Sequence, residues 1–301
     1  MYFIDLHSKI LNRNTMKKIL VGTLIAASGF CSVYSQENEF DKKFRFGVRI
    51  APQPTWIKSK DKNTQGGGMN FGFGFGLITE FKLSNIVHFS TGIGGDFENG
   101  TITYKNDPAN GYVVGYYVDN TSQELIQLSN GMDTATLFNR NNVGYSGITT
   151  RKIKTTYVTI PLTLKMLTQE YSGFRYFAQF GADLGIRTKV LANDDYTLIN
   201  KRGVTNSVNG TLTDLNIKKD ASLLPVRIGL NVGLGTEYRI AGTTSVLFSI
   251  NYFSSFTNLM RNTSKYVVTN GQVDSNGKMQ FVFLKQNLIQ NAVRINVGIL
   301  F

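Results

Sequence analysis

Residues 69–83 read MNFGFGFGLITEFKL, and the fold follows from how they alternate. Phe71, Phe73, Phe75, Leu77, Phe81 and Leu83 share one parity, and Gly72, Gly74, Gly76, Glu80 and Lys82 share the other. Successive residues of a strand point to opposite faces, so this strand has one bulky apolar face and one that is minimal or charged. Glycine is a poor strand former and gives a sheet nothing to pack. Repeated on one face, it fits a narrow lumen where larger side chains would not. The opposite, apolar face then meets lipid.

The pattern recurs along the chain. Phe44, Phe46, Val48 and Ile50 alternate with Arg45, Gly47 and Arg49, and Val87, Phe89, Thr91 and Ile93 alternate with His88, Ser90, Gly92 and Gly94 in a strand running to about Lys105. Further strands are predicted over 155–166, 174–187, 226–235, 245–255 and 291–301, with Pro161 requiring a bulge or a weak pairing in the first of these. The expectation is an all-β chain: an eight-stranded antiparallel transmembrane β-barrel. Its strands are joined alternately by short turns, near Ser84-Asn85, 169–173 and 241–244, and by long polar links at 58–68, 106–150, 191–222 and 259–290. Short periplasmic turns and long extracellular loops are the layout of an outer-membrane barrel, and the outer membrane of a Gram-negative bacterium is the expected location. A soluble lipocalin-like barrel would have to crowd phenylalanine inside and show glycine to water. The lumen-facing Gly74 and Gly229 are expected to accept serine more readily than the lipid-facing Phe73 or Leu230 accept arginine.

Composition agrees with this class. In 301 residues there are 5 prolines, 30 glycines, 21 phenylalanines and 14 tyrosines. No apolar run reaches the roughly 18 residues of a transmembrane helix, whereas a barrel strand hides its apolar residues by alternation. Residues 16–35, MKKILVGTLIAASGFCSVYS, have the charged start, apolar middle and small-residue end of a secretory signal, with cleavage expected between Ser35 and Gln36. A lipoprotein signal ending at Cys31 is disfavoured by the bulky Phe30 before it. The domain plan is therefore 1–35 as N-terminal extension and signal peptide, 36–43 as a linker, and 44–301 as the barrel. The formal net charge of +12 is spread singly along strands rather than clustered, which argues against nucleic acid and for outer-membrane lipid, lipopolysaccharide or an acidic partner.

Chemistry is scarce in the sequence. Gly72, Gly74 and Gly76 imitate a dinucleotide fingerprint, as does Gly233-Leu234-Gly235, but neither opens a helix whose N-terminus could hold phosphate. A hydrolase at the outer rim would need a histidine beside serine or aspartate, yet the mature chain keeps only His88, placed at the periplasmic end. No catalytic residue, cofactor or metal site is expected; Asn193, Asp194 and Asp195 read as a solvated turn rather than a calcium loop. By parity the lumen receives Arg45, Arg49, Glu80, Lys82, Asp96, Glu98, Lys165, Arg175, Asp183, Arg187, Arg227, Glu237 and Arg294. Charges inside so narrow a barrel must pair, so they are expected to form a salt-bridged plug, the alternative being a narrow anion or small-solute channel. Function then falls to the outer loops, where Tyr112, Tyr116 and Tyr117 are candidate contacts for an unknown protein partner.

FRFGVRIAPQ at 44–53, YVTIPLTLK at 157–165 and VRINVGILF at 293–301, with the leader ending in Ser35-Gln36, resemble the PorT-like outer-membrane β-barrel proteins of Bacteroidota. The resemblance implies a non-enzymatic barrel in envelope structure or interaction, with an accessory role in type IX-like secretion as its specific form. It also implies that the terminal Phe301 is the signal read by the barrel-assembly machinery.

Overall fold

Each barrel strand pairs antiparallel with the next, and the last pairs with the first. A computed structural model describes residues 42–301, apart from 120, 123, 139–142, 202–203, 207–208 and 222–224. The strands are β1 (Phe44–Ser59), β2 (Asn70–Lys82), β3 (Val87–Tyr104), β4 (Val143–Leu167), β5 (Phe174–Lys201), β6 (Val226–Ala241), β7 (Thr244–Ser255) and β8 (Leu288–Leu300). Closure runs through Val48↔Ile299 between β1 and β8, and Phe301 donates its backbone N–H to Phe46 at 2.7 Å. The eight expected strands are therefore all present, in a closed all-β barrel. The leader assigned to 1–35, its Ser35–Gln36 cleavage and most of the 36–43 linker lie outside the described residues.

One end of the barrel carries tight turns. Ser172 (φ 50°) and Gly173 (φ 82°) both adopt the left-handed region between Tyr171 and Phe174, the requirement of a two-residue hairpin turn matched to the twist of its strands. Above this turn end stands a belt of exposed apolar residues, including Phe75, Leu77, Ile93, Phe180, Leu230 and Ile250. Aromatic pairs fringe it: Phe44 with Phe81 and Phe174 with Tyr238 near the turns, and Trp56 with Tyr252 on the loop side. Opposite them Gly72, Gly74 and Glu80 face inward and are buried. An apolar exterior around a polar interior is the inverse of a soluble barrel and the pattern of a membrane-spanning one.

Proline is accommodated where the ladders lapse. The β3–β4 ladder skips between Thr91↔Leu162 and Gly94↔Thr159, and Pro161 lies in that gap. Pro52 and Pro54 lie likewise where β1 and β8 part between Ile50↔Val297 and Thr55↔Ala292. A residue without an N–H is harmless where no ladder bond is due.

The strands do not stop at the membrane. A barrel strand needs roughly 9 to 11 residues to cross, whereas β4 has 25 and β5 has 28. The links expected at 106–150 and 191–222 are thus in large part a tall hairpin standing outside the belt. The link at 259–290 holds a second hairpin, Thr263–Val273 with Lys278–Lys285, bridged to β4 through the short strand Gly115–Val118. Together these segments form a cap. Where β5 leaves the belt, the pairing shifts from Tyr157↔Arg187 to Thr156↔Lys189, leaving Thr188 as a one-residue bulge. A one-residue shift exchanges the two faces of a strand. The even-numbered apolar residues of β5, which meet lipid up to Ile186, therefore turn inward as Val190 and Ala192. There they join Ile57, Ile102, Ile153, Val114, Leu259 and Leu288 in an apolar core above the polar lumen.

The lumen is fuller than the glycines suggest. A Cβ on Gly229 would collide with the ring of Phe253, and one on Gly74 would meet a carboxylate oxygen of Asp96. Serine at either position would press on that neighbour, so its expected tolerance is relative, a smaller cost than arginine on the lipid face. At these positions glycine is needed because neighbouring side chains already fill the narrow lumen.

Candidate functional site: a charged lumen beneath an apolar cap

Inward parity brings the lumen charges together in two layers. At the turn end, Arg45 from the start of β1 bonds Glu80 and reaches Glu237 at 2.7 Å, and Lys165 near the end of β4 bonds Glu237 and reaches Glu80 at 2.7 Å. Each carboxylate thus touches both cations. Lys165 also stands 4.1 Å from the ring centre of Phe177. His88 is buried here, its Nδ1 3.7 Å from Glu80.

The second layer lies midway up the barrel. Arg294 of β8 bonds Asp183, approaches Glu98 at 3.3 Å and Asp96 at 3.4 Å, and donates through Nε to Gln53 at 2.9 Å. Arg227 bonds Glu98 and lies between the rings of Tyr157 and Phe253, at 3.8 and 4.5 Å from their centres. Thr159 donates to Asp96 at 2.7 Å, Asn231 to Asp183 at 3.0 Å, and Arg49 to Asn296 at 2.6 Å. Arg294, Asp183, Asp96 and Glu98 are each at most 1% exposed, so their charges are balanced inside the protein rather than by bulk water.

The remaining predicted lumen residues are peripheral. Lys82 is half-buried at the turn rim, and Arg175 is buried there with its Nε 3.4 Å from the Thr168 carbonyl oxygen. Arg187 is at the opposite rim, donating to the carbonyl of Leu259 at 2.9 Å beside a cavity of about 10 Å³. That volume holds about one water molecule. Tyr157, Arg227 and Ser255 share its lining.

A third cluster sits in the cap, and the sequence did not reveal it. Arg151 of β4 bonds Asp194 of β5 through two nitrogens, at 2.8 and 2.7 Å, and the hydroxyl of Tyr116 donates to Asp194 at 2.6 Å. Asp194 belongs to no solvated turn. Asn193, Asp194 and Asp195 lie along β5, with Asp194 fully buried and Asp195 exposed on the other face, so they do not converge on a cation. Among the described residues no group of three or more His, Cys, Asp or Glu side chains is placed to hold a metal. Asp220 is also buried and accepts from Ser264 at 2.6 Å; burial pushes its carboxyl above the ordinary range, against that hydrogen bond and the pull of Arg151.

Tyr112, Tyr116 and Tyr117 require a correction. Tyr116 is 1% exposed and Tyr117 9%, each packed in a core of the cap, while Tyr112 is partly buried against the first of these cores. They hold the cap together rather than offer themselves at its surface. Aromatic residues in a long polar link look available only if the link is loose, and this one is folded.

No protein-family model matches the chain, and no curated protein matches it in sequence. Among solved structures it is similar to Neisserial surface protein A, at 9% identity over 86% of this chain and 96% of that one, with a TM-score of 0.35. The attachment invasion locus protein Ail of Yersinia pestis is 9% identical over 86% and 100% of the respective chains, at a TM-score of 0.26. The outer membrane protease OmpT from Escherichia coli is 7% identical over 90% and 99%, at 0.40. At such scores the assignment rests on the chain's own belt and lumen: it is a closed membrane-spanning β-barrel of the outer-membrane type.

Proposed function

We propose that the protein is a non-enzymatic, integral barrel of the Gram-negative outer membrane that holds a rigid cap above the lipid as an element of envelope structure or interaction. Its finer form, suggested by the likeness to PorT-like proteins, is an accessory of type IX-like secretion, delivered to the membrane through recognition of Phe301. The observation that carries this reading is the double closure of the lumen, by ion pairs within the membrane and by an apolar core above it. A solute path would have to break both. In planar bilayers the purified protein is therefore expected to show no steady conductance. Stable anion-selective currents that weaken when Arg227 or Arg294 is neutralised would overturn the reading in favour of a channel.

The same proposal includes an exported chain that loses residues 1–35. Mass spectrometry of protein isolated from membranes should give Gln36, free or cyclised, as its first residue. A lipid-modified Cys31 would replace this plan with a lipoprotein.

A further inference from the structure

Between β3, β4 and β5 the outer wall changes from apolar to basic within a single step along the strands. The pairing sets Phe97, Thr156 and Lys189 at one height, Asn99, Lys154 and Leu191 at the next, and Thr101, Lys152 and Asn193 above them. Phe97 and Ile186, 46% and 50% exposed, are among the last apolar side chains of the belt on this side. Lys152 and Lys189 are exposed and Lys154 partly so. The Thr188 bulge decides the position of Lys189: without the shift, the lysine would point into the apolar core and Val190 would face outward.

Same-face neighbours two residues apart, or diagonal across a pair of strands, have backbones about 7 to 8 Å apart. Lys154 stands at that spacing from both Lys152 and Lys189, so its long, flexible stem can share an anionic group with either, and the three ammonium groups line a path suited to a headgroup with more than one phosphate. Lys154 is paired with Asp214 at 2.9 Å, but the two side chains are 40% and 63% exposed. An ion pair so open to water is weak and is readily shared with a stronger anion.

We propose that Lys152, Lys154 and Lys189 bind the phosphorylated headgroup of an acylated outer-leaflet lipid of the lipid A kind, whose chains lie on Val158, Ile160 and Ile186. The inference rests on the outer-membrane reading above. Two features select this occupant over a soluble acidic protein. The lysines stand at the height where the apolar belt ends, which is where a lipid presents its phosphates. The surface is also continuous with the lipid-facing wall beneath, so one molecule can satisfy the ammonium groups and the apolar wall together.

The test uses native mass spectrometry of the full-length mature protein in detergent, with added bisphosphorylated lipid A, dephosphorylated lipid A or phosphatidylglycerol. Wild type is expected to retain the bisphosphorylated lipid in preference to both others, and Lys152→Gln/Lys154→Gln/Lys189→Gln to lose about tenfold or more of that retention. A control removing equal charge away from the rim, Lys62→Gln/Lys105→Gln/Lys278→Gln, should retain it as wild type does. Equal retention by wild type and the rim variant, equal loss in the control, or indifference to phosphorylation would each overturn the proposal. The migration of unboiled and boiled samples on gels separates the two levels of failure. A protein that shows no compact, heat-sensitive form defeats the membrane barrel and this site with it. One that shows that form yet retains no lipid defeats the site alone.

Discussion

Replacing Arg294 by methionine is expected to destabilise the barrel by about 3 to 5 kcal/mol, the usual cost of stranding buried charge by removing one partner. Among the described residues Arg294 is the one side chain that touches Asp183, Asp96 and Glu98 together, and these carboxylates have no bulk water to turn to. Its guanidinium also lies 4.4 Å from the ring centre of Phe253, a contact that methionine replaces only in part. Equilibrium unfolding in urea from lipid vesicles would measure the loss, and Trp56, the only tryptophan of the chain, reports it by fluorescence from the loop-side edge of the belt. Adding Asp183→Asn should restore part of the stability by removing one of the stranded charges. A loss below about 1 kcal/mol, the scale of an exposed pair, would mean that water reaches this layer after all.

Placing arginine at Phe75 should cost about 2 to 4 kcal/mol, the penalty for a cation on the lipid face near the bilayer midplane. Phe75 is half-exposed on the wall, and its inward neighbours Gly74 and Gly76 rule out a rotation of the strand to hide the charge. Gly229→Ser provides the comparison from the opposite face. Its side chain would press on Phe253, which is held against Arg227 and Arg294, so overpacking of about 1 to 3 kcal/mol is expected. Both variants can be measured by the same urea titration. A harmless Phe75→Arg would show that this wall meets water, and the membrane reading would fall with it.

The barrel was legible because its signal is local. Period-two alternation from Phe44 to Ile50 or from Val226 to Gly235 names a strand and its faces without knowledge of any neighbour. The cap was not legible for the same reason. Ile57 and Ile102 keep the inward parity of Gln53 and Asp96, but Val190 extends the lipid-facing parity of β5, and only its strand partner and the bulge at Thr188 show that it faces a core. Membership of the charge layers could be read from parity, but not who pairs with whom. Arg45 meets Glu237 from 192 residues away, a match set by barrel closure. Arg151 and Asp194 were missed because they lie in segments expected to be loops; a strand continued past Thr155 would have put Arg151 inside with Ile153.

The bridging position of Arg294 bears on the order in which the molecule can be made. The arginine belongs to the final strand, while the acids it neutralises belong to β3 and β5, which emerge from the ribosome earlier. A sheet without β8 would carry Asp183 towards the membrane interior without Arg294 and, among the described residues, would leave Asp96 and Glu98 with Arg227 alone. Such an intermediate gains little by settling into lipid and has reason to remain with whatever escorts it. The arrival of the last strand joins the sheet edge to edge with β1 and delivers the missing positive charge in the same event. Addition of the eighth strand thereby becomes the step that favours insertion, and a sheet lacking it is expected to be held back by its own unmatched acids.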